Sequence, residues 1–138
     1  MKIEDIVVDL EIAKKLKEAG WEQNNLFYID ENNDAYTFYE ANDITEENEY
    51  YKETRDSVLL YSAPTADEII KKLPRKFRDA TLDMVTVHSE ENEIEWQVGY
   101  GIDGLSRFYW FCYDEKLSNA LAKIWLWCKK NGYLEEEK

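Results

Sequence analysis

The chain has 138 residues, near the commonest size for one domain, and 44% hydrophobic against 34% charged residues is a globular composition rather than a disordered one. Against 17 Lys and Arg stand 30 Asp and Glu, and the formal charge of -13 repels nucleic-acid backbones and anionic membranes, so direct nucleic-acid binding is not expected. Apolar runs such as residues 58–61 and 108–113 fall far short of the roughly 20 residues of a membrane helix, and residues 1–9 carry acids where a secretory signal is apolar. The expectation is one α+β domain over residues 1–134 with an acidic tail over 135–138, in the cytoplasm of a bacterial host.

In chain order, a first helix is marked by Asp9 as N-cap and by Gly20 in the left-handed position past the helix end. Leu10, Ala13, Leu16 and Ala19 form its apolar stripe, and Lys14, Lys15 and Lys17 sit toward the end where the helix dipole favours positive charge. Residues 26–29 and 35–39 are rich in strand-forming side chains and flank the turn-forming run Asp30-Glu31-Asn32-Asn33-Asp34, a hairpin pattern. Residues 41–55 are polar and without period, which reads as a mobile loop, and residues 58–62 offer another short strand.

Thr65-Ala66-Asp67-Glu68 has capping-box spacing, and a short helix over 66–73 follows, ending before Pro74. Residues 81–88, 94–100 and 105–113 then read as an antiparallel meander. In the middle run Ile94, Trp96, Val98 and Tyr100 alternate with Glu95, Gln97 and Gly99, the pattern of a half-buried strand. The next run is apolar on both faces, which predicts a central strand or one covered on both sides. A last helix begins after Asp114, a candidate cap. Its stripe of Leu117, Ala120, Leu121, Ile124 and Cys128 is widened by Trp125 and Trp127 before Gly132. The expected fold is a single antiparallel sheet of five or six short strands with two longer helices and one short helix packed on it.

Candidate chemistry is thin. Asp30 to Asp34 begins like a calcium loop, but Ala35 stands at the glycine position and Ala41 at that of the bidentate glutamate, so a polar hairpin turn is preferred. His88 is the lone histidine, and beside Ser89, Glu90 and Glu91 it reads as a solvated turn residue. The carboxylates Glu46, Glu47, Glu49, Glu90, Glu91, Glu93 and Glu95 read as a solvated acidic face. Gly99, Gly101 and Gly104 around Asp103 match no phosphate-cradling motif and suggest a tight connection. Cys112 and Cys128 read as buried thiols. No cofactor and no metal is implied.

Two features depart from routine. Lys71, Lys72, Arg75, Lys76 and Arg78 cluster at and beyond the short helix, more positive charge than a helix dipole calls for, and an acidic or phosphate-bearing partner would suit them. Aromatic residues make up 14% of the chain, and Tyr36, Tyr39, Tyr50, Tyr51, Tyr100 and Tyr109 are numerous enough that some should reach the surface, where tyrosine suits protein interfaces.

Three stretches carry a family likeness: residues 10–20 (LEIAKKLKEAG) followed by Asn25-Leu26-Phe27-Tyr28, Tyr61-Ser62-Ala63-Pro64-Thr65-Ala66-Asp67-Glu68 through Leu73-Pro74, and residues 120–127 (ALAKIWLW). They resemble a family of small uncharacterised proteins encoded by phages and prophages of Gram-positive bacteria. The resemblance implies a phage-related origin, rests on structural signatures, and carries over no site residue. The resulting expectation is a non-enzymatic module that binds another protein through Tyr36, Tyr39, Tyr50 and Tyr51 or through the basic cluster, with homo-oligomerisation open to the same aromatics. The alternatives are a DNA mimic or host-defence antagonist whose carboxylates imitate phosphates, and a ligand-binding protein or enzyme with an aromatic pocket holding Glu95, Asp103 or His88.

Overall fold

The computed structural model describes residues 2–23, 26–37, 40, 60–77, 80–88, 90–91, 93–102 and 107–134. The class is α+β. Length alone suggests one domain; the internal contacts divide the chain into two compact units, Met1–Thr65 and Ala66–Lys138. The described strands likewise form two antiparallel sheets where the sequence suggests one. The expected hairpin and the expected meander are both present, but each closes its own sheet.

The first unit opens with a 3₁₀ turn, Ile3–Asp5, and helix α1, Leu10–Glu18. Asp9 occupies the N-cap position in extended backbone, and Gly20, at φ 98°, takes the left-handed conformation a side chain would resist. Ile12, Ala13 and Leu16 form the buried face. Strands β1, Phe27–Ile29, and β2, Ala35–Thr37, form the hairpin, and β3, Tyr61–Ser62, pairs on the other side of β1 in the order β2-β1-β3. Phe38, Tyr39 and residues 41–59, including the proposed mobile loop and the first two residues of the strand read at 58–62, lie outside the described residues. Val8 N–H donates to Pro64 O at 3.2 Å, and Val7 bridges Thr65, which ties the two ends of the unit together.

The second unit contains helix α2, Ala66–Ile70, then β4, Lys76–Phe77, β5, Ala80–His88, β6, Ile94–Ile102, and β7, Arg107–Asp114, and finally helix α3, Leu117–Lys130. The strand order β4-β5-β6-β7 is the predicted meander with one added strand. β4 escapes a pattern reading because two residues show no period. The register pairs Met84 with Val98 and Val98 with Cys112, then slips between Tyr100 and Gly101.

Helix α3 covers one face of this sheet. Leu121, Ile124 and Cys128 are fully buried, Trp110 and Trp127 stack at 5.3 Å with planes 4° apart, and the Cys112 thiol donates to Ala120 O at 3.1 Å. Val98 and Tyr100 are fully buried beneath it, and the Tyr100 hydroxyl donates to Pro74 O at 2.7 Å. A buried tyrosine needs such a partner, because an unpaired hydroxyl there costs about 1–3 kcal/mol. Asp114 closes the β7–α3 turn. Its Oδ1 accepts from Lys116 N and Asn119 Nδ2, and its Oδ2 from Lys123 Nζ at 2.9 Å. It thus steadies the helix start from two residues before Lys116, which holds the N-cap position itself.

Candidate functional site

Two surfaces of the second unit stand apart from the rest. The first is the sheet face opposite α3. Along β7 alternate residues point to opposite faces, so Trp110 and Cys112 turn to the helix while Phe111 and Tyr113 turn away, 41% and 45% exposed. Their rings meet edge to face at 5.5 Å and 86°. Phe111 stands opposite Gly99, and Tyr113 opposite Gln97, with Val85 the next neighbour in that row.

This corrects the expectation that β7 is central or covered on both sides. Among the described strands it closes one end of the sheet order, and Phe111 and Tyr113 on its second face are open. Exposed, paired aromatic rings supply rigid contact area at low entropic cost, the composition that distinguishes protein interfaces from ordinary surface.

Carboxylates edge this patch. Glu95 lies opposite Val87 on the same face, and Glu93 and Glu115 are exposed just outside the ends of β6 and β7. The Glu93 charge pushes the Glu115 carboxyl above its ordinary range, helped by a hydrogen bond between the two side chains and by the further charges of Glu95 and Asp114. Two carboxyls that must share space in this way favour a cation beside them. Asp83 lies on the same face, opposite Gly99, and its Oδ2 is buried with no hydrogen-bond partner among the described residues.

The second surface is a cleft of about 620 Å³ lined by Ile70, Lys71, Leu73, Arg75 and Lys76. It gathers three members of the basic cluster read from sequence. Lys72 is exposed and is not among the lining residues, while Arg78 lies outside the described residues. Lys71 Nζ reaches Asp67 Oδ2 at 3.2 Å one helical turn away, with side chains 73% and 79% exposed, so that pair adds little to stability.

The tyrosines singled out by sequence do not assemble into a site. Tyr36 is half-buried in the first unit, and its hydroxyl donates to Asp30 Oδ2 at 2.7 Å. That hydrogen bond, with burial and the charge of Asp30 behind it, pushes the phenol up to about 12. Asp30 also accepts from the backbone N–H groups of Asn32 and Asp34. Burial alone would raise its carboxyl, but these three donors outweigh it and hold it below the usual value. Asp30 therefore organises the hairpin turn. Tyr39, Tyr50 and Tyr51 lie outside the described residues.

Tyr100 is wholly buried. His88 is exposed at the end of β5, opposite Ile94. Burial pushes the Cys112 thiol up to about 12, so at neutral pH it is a protonated hydrogen-bond donor and not a nucleophile. Gly99 belongs to the interior of β6, not to a tight connection. Among the described residues no group of three or more His, Cys, Asp and Glu is arranged to hold a metal ion, and no helix is long and apolar enough to cross a membrane.

Phe111 and Tyr113 are the residues that sequence reading missed. The available signal was the run of aromatics on both faces of one strand, which has two readings, a strand buried twice or a strand with an exposed binding face. Comparison with protein-family models, with curated proteins and with solved structures finds no match.

Proposed function

We propose that this chain is a non-enzymatic protein-binding module, of phage or prophage origin, that engages its partner through the aromatic face of the second sheet. The observation that carries this reading is the exposed edge-to-face pair of Phe111 and Tyr113, edged by Glu93, Glu95 and Glu115. An apolar centre with an acidic rim fits a protein surface that presents an apolar side chain among Lys or Arg. Burying the two rings supplies affinity, and the carboxylates supply on-rate and orientation. The likeness of residues 10–20, 61–74 and 120–127 to phage-encoded proteins supports the origin, and a cytoplasmic location in the bacterial host follows from it.

The test is capture from a bacterial lysate by the immobilised chain, with captured proteins identified and compared across variants. Phe111→Ser with Tyr113→Ser should abolish retention of the partner. Glu93→Gln with Glu95→Gln and Glu115→Gln should weaken retention and flatten its salt dependence. If the aromatic double variant, shown to be folded by circular dichroism, retains the same proteins as the unmodified chain, the reading is wrong. Light scattering on the purified chain reports whether the partner is a second copy.

A further inference from the structure

The cleft at the end of α2 is distinct from the aromatic face in composition and in charge. We infer that it is a docking groove for an acidic peptide segment of a partner protein, one carrying an apolar side chain among its carboxylates.

Charge is the first argument. The chain as a whole carries -13, yet the described residues that line this groove include three cations and no carboxylate. Arg75 and Lys76 are exposed, and neither forms an ion pair among the described residues. Among the described residues Lys71 is held by its exposed contact with Asp67, which an incoming carboxylate can replace at little cost. Like charges crowded into one groove repel one another, and an anion arriving there relieves that repulsion.

Shape is the second. A volume of about 620 Å³ is several times what one phosphate fills and lies in the range of a ligand groove. Its remaining lining is apolar, with Leu73 only 3% exposed, so a bare anion would leave Ile70 and Leu73 uncovered. A short peptide with an apolar residue between two carboxylates satisfies both halves of the lining.

Preorganisation is the third. Pro74, between Leu73 and Arg75, is anchored through its carbonyl by the buried Tyr100 hydroxyl. The carbonyl of Arg75 accepts from Leu82 N–H at 3.0 Å, and Lys76 pairs with Thr81. Arg75 and Lys76 therefore project from backbone already fixed to the sheet, and binding need not order it.

The experiment is fluorescence anisotropy on the full chain with a labelled peptide of alternating Glu and Leu. Binding should weaken as salt rises. Arg75→Glu with Lys76→Glu should raise Kd at least tenfold, whereas Lys15→Glu with Lys129→Glu, an equal charge change at two exposed lysines elsewhere, should leave it within twofold. A Glu–Ser peptide should bind at least fivefold more weakly than the Glu–Leu peptide. Inorganic phosphate at equal ionic strength should displace the peptide no better than chloride. The inference is overturned by absence of binding at low salt, by equal losses in the two charge variants, by equal affinity for the Ser peptide, or by specific displacement with phosphate. None of these outcomes depends on Phe111 or Tyr113, so the groove and the aromatic face are judged separately.

Discussion

Gly99 and Phe111 face one another across β6 and β7 so closely that a methyl group on the glycine would lie 2.6 Å from Phe111 Cβ and 2.8 Å from its Cα. The absent side chain lets β7 lie against β6 and sets the exposed ring of Phe111 over the sheet. Gly99→Ala should therefore force the strands apart and destabilise the protein by about 1–3 kcal/mol, as overpacking does. Urea denaturation measures the loss. An unchanged midpoint would show that β7 is not held at this separation.

Tyr36 and Asp30 form a pair whose pH behaviour is fixed in sign. Tyr36→Phe removes a hydrogen bond to a buried carboxylate and should cost about 1.5–3 kcal/mol at pH 7. The folded carboxyl of Asp30 lies below its ordinary value of 3.8, so its contribution is complete above that value and is lost as the pH falls through the folded one. The phenol of Tyr36 lies above its ordinary value of 10, at about 12, so its contribution is complete below 10 and is lost as the pH rises through about 12. The difference between the two proteins should thus be flat between roughly pH 5 and 9 and narrow at both ends. Denaturation curves across that range and beyond both of its ends check it, and a difference that grows in acid would contradict the pairing.

Both thiols should be inert in the folded state. Cys128 is fully buried, and Cys112 is a hydrogen-bonded thiol pushed up to about 12 by burial. Iodoacetamide at pH 8 should label neither until denaturant is added, as mass spectrometry of the intact chain will show. Rapid labelling of Cys112 in native buffer would mean that α3 opens readily from the sheet.

On the aromatic face Asp83 carries a buried oxygen without a partner among the described residues. If the carboxylate has no role there, Asp83→Val, which keeps a strand-forming residue, should stabilise the chain by about 1–2 kcal/mol by removing an unsatisfied group. Thermal and urea denaturation read the sign. A loss of stability would show that the carboxylate finds a structural partner in solution.

What the sequence determined by itself was local. Gly20 and the stripe of α1, the Asp30 to Asp34 turn, and the meander with its closing helix are all written in periods of 3.6 and 2 and in turn residues, because each depends on neighbours a few positions away. The basic cluster was equally legible, falling within eight residues of chain, and three of its members do line one groove. Tertiary structure decided everything that depends on which surfaces meet. Aromatics on both faces of a strand have the same pattern whether both faces are covered or one is open, and only the packing of α3 against the Trp110 and Cys112 side leaves Phe111 and Tyr113 open. Tyr36 likewise reads as a surface ring until a carboxylate six residues away claims its hydroxyl. Exposure belongs to the pairing of distant segments, and no local pattern encodes it.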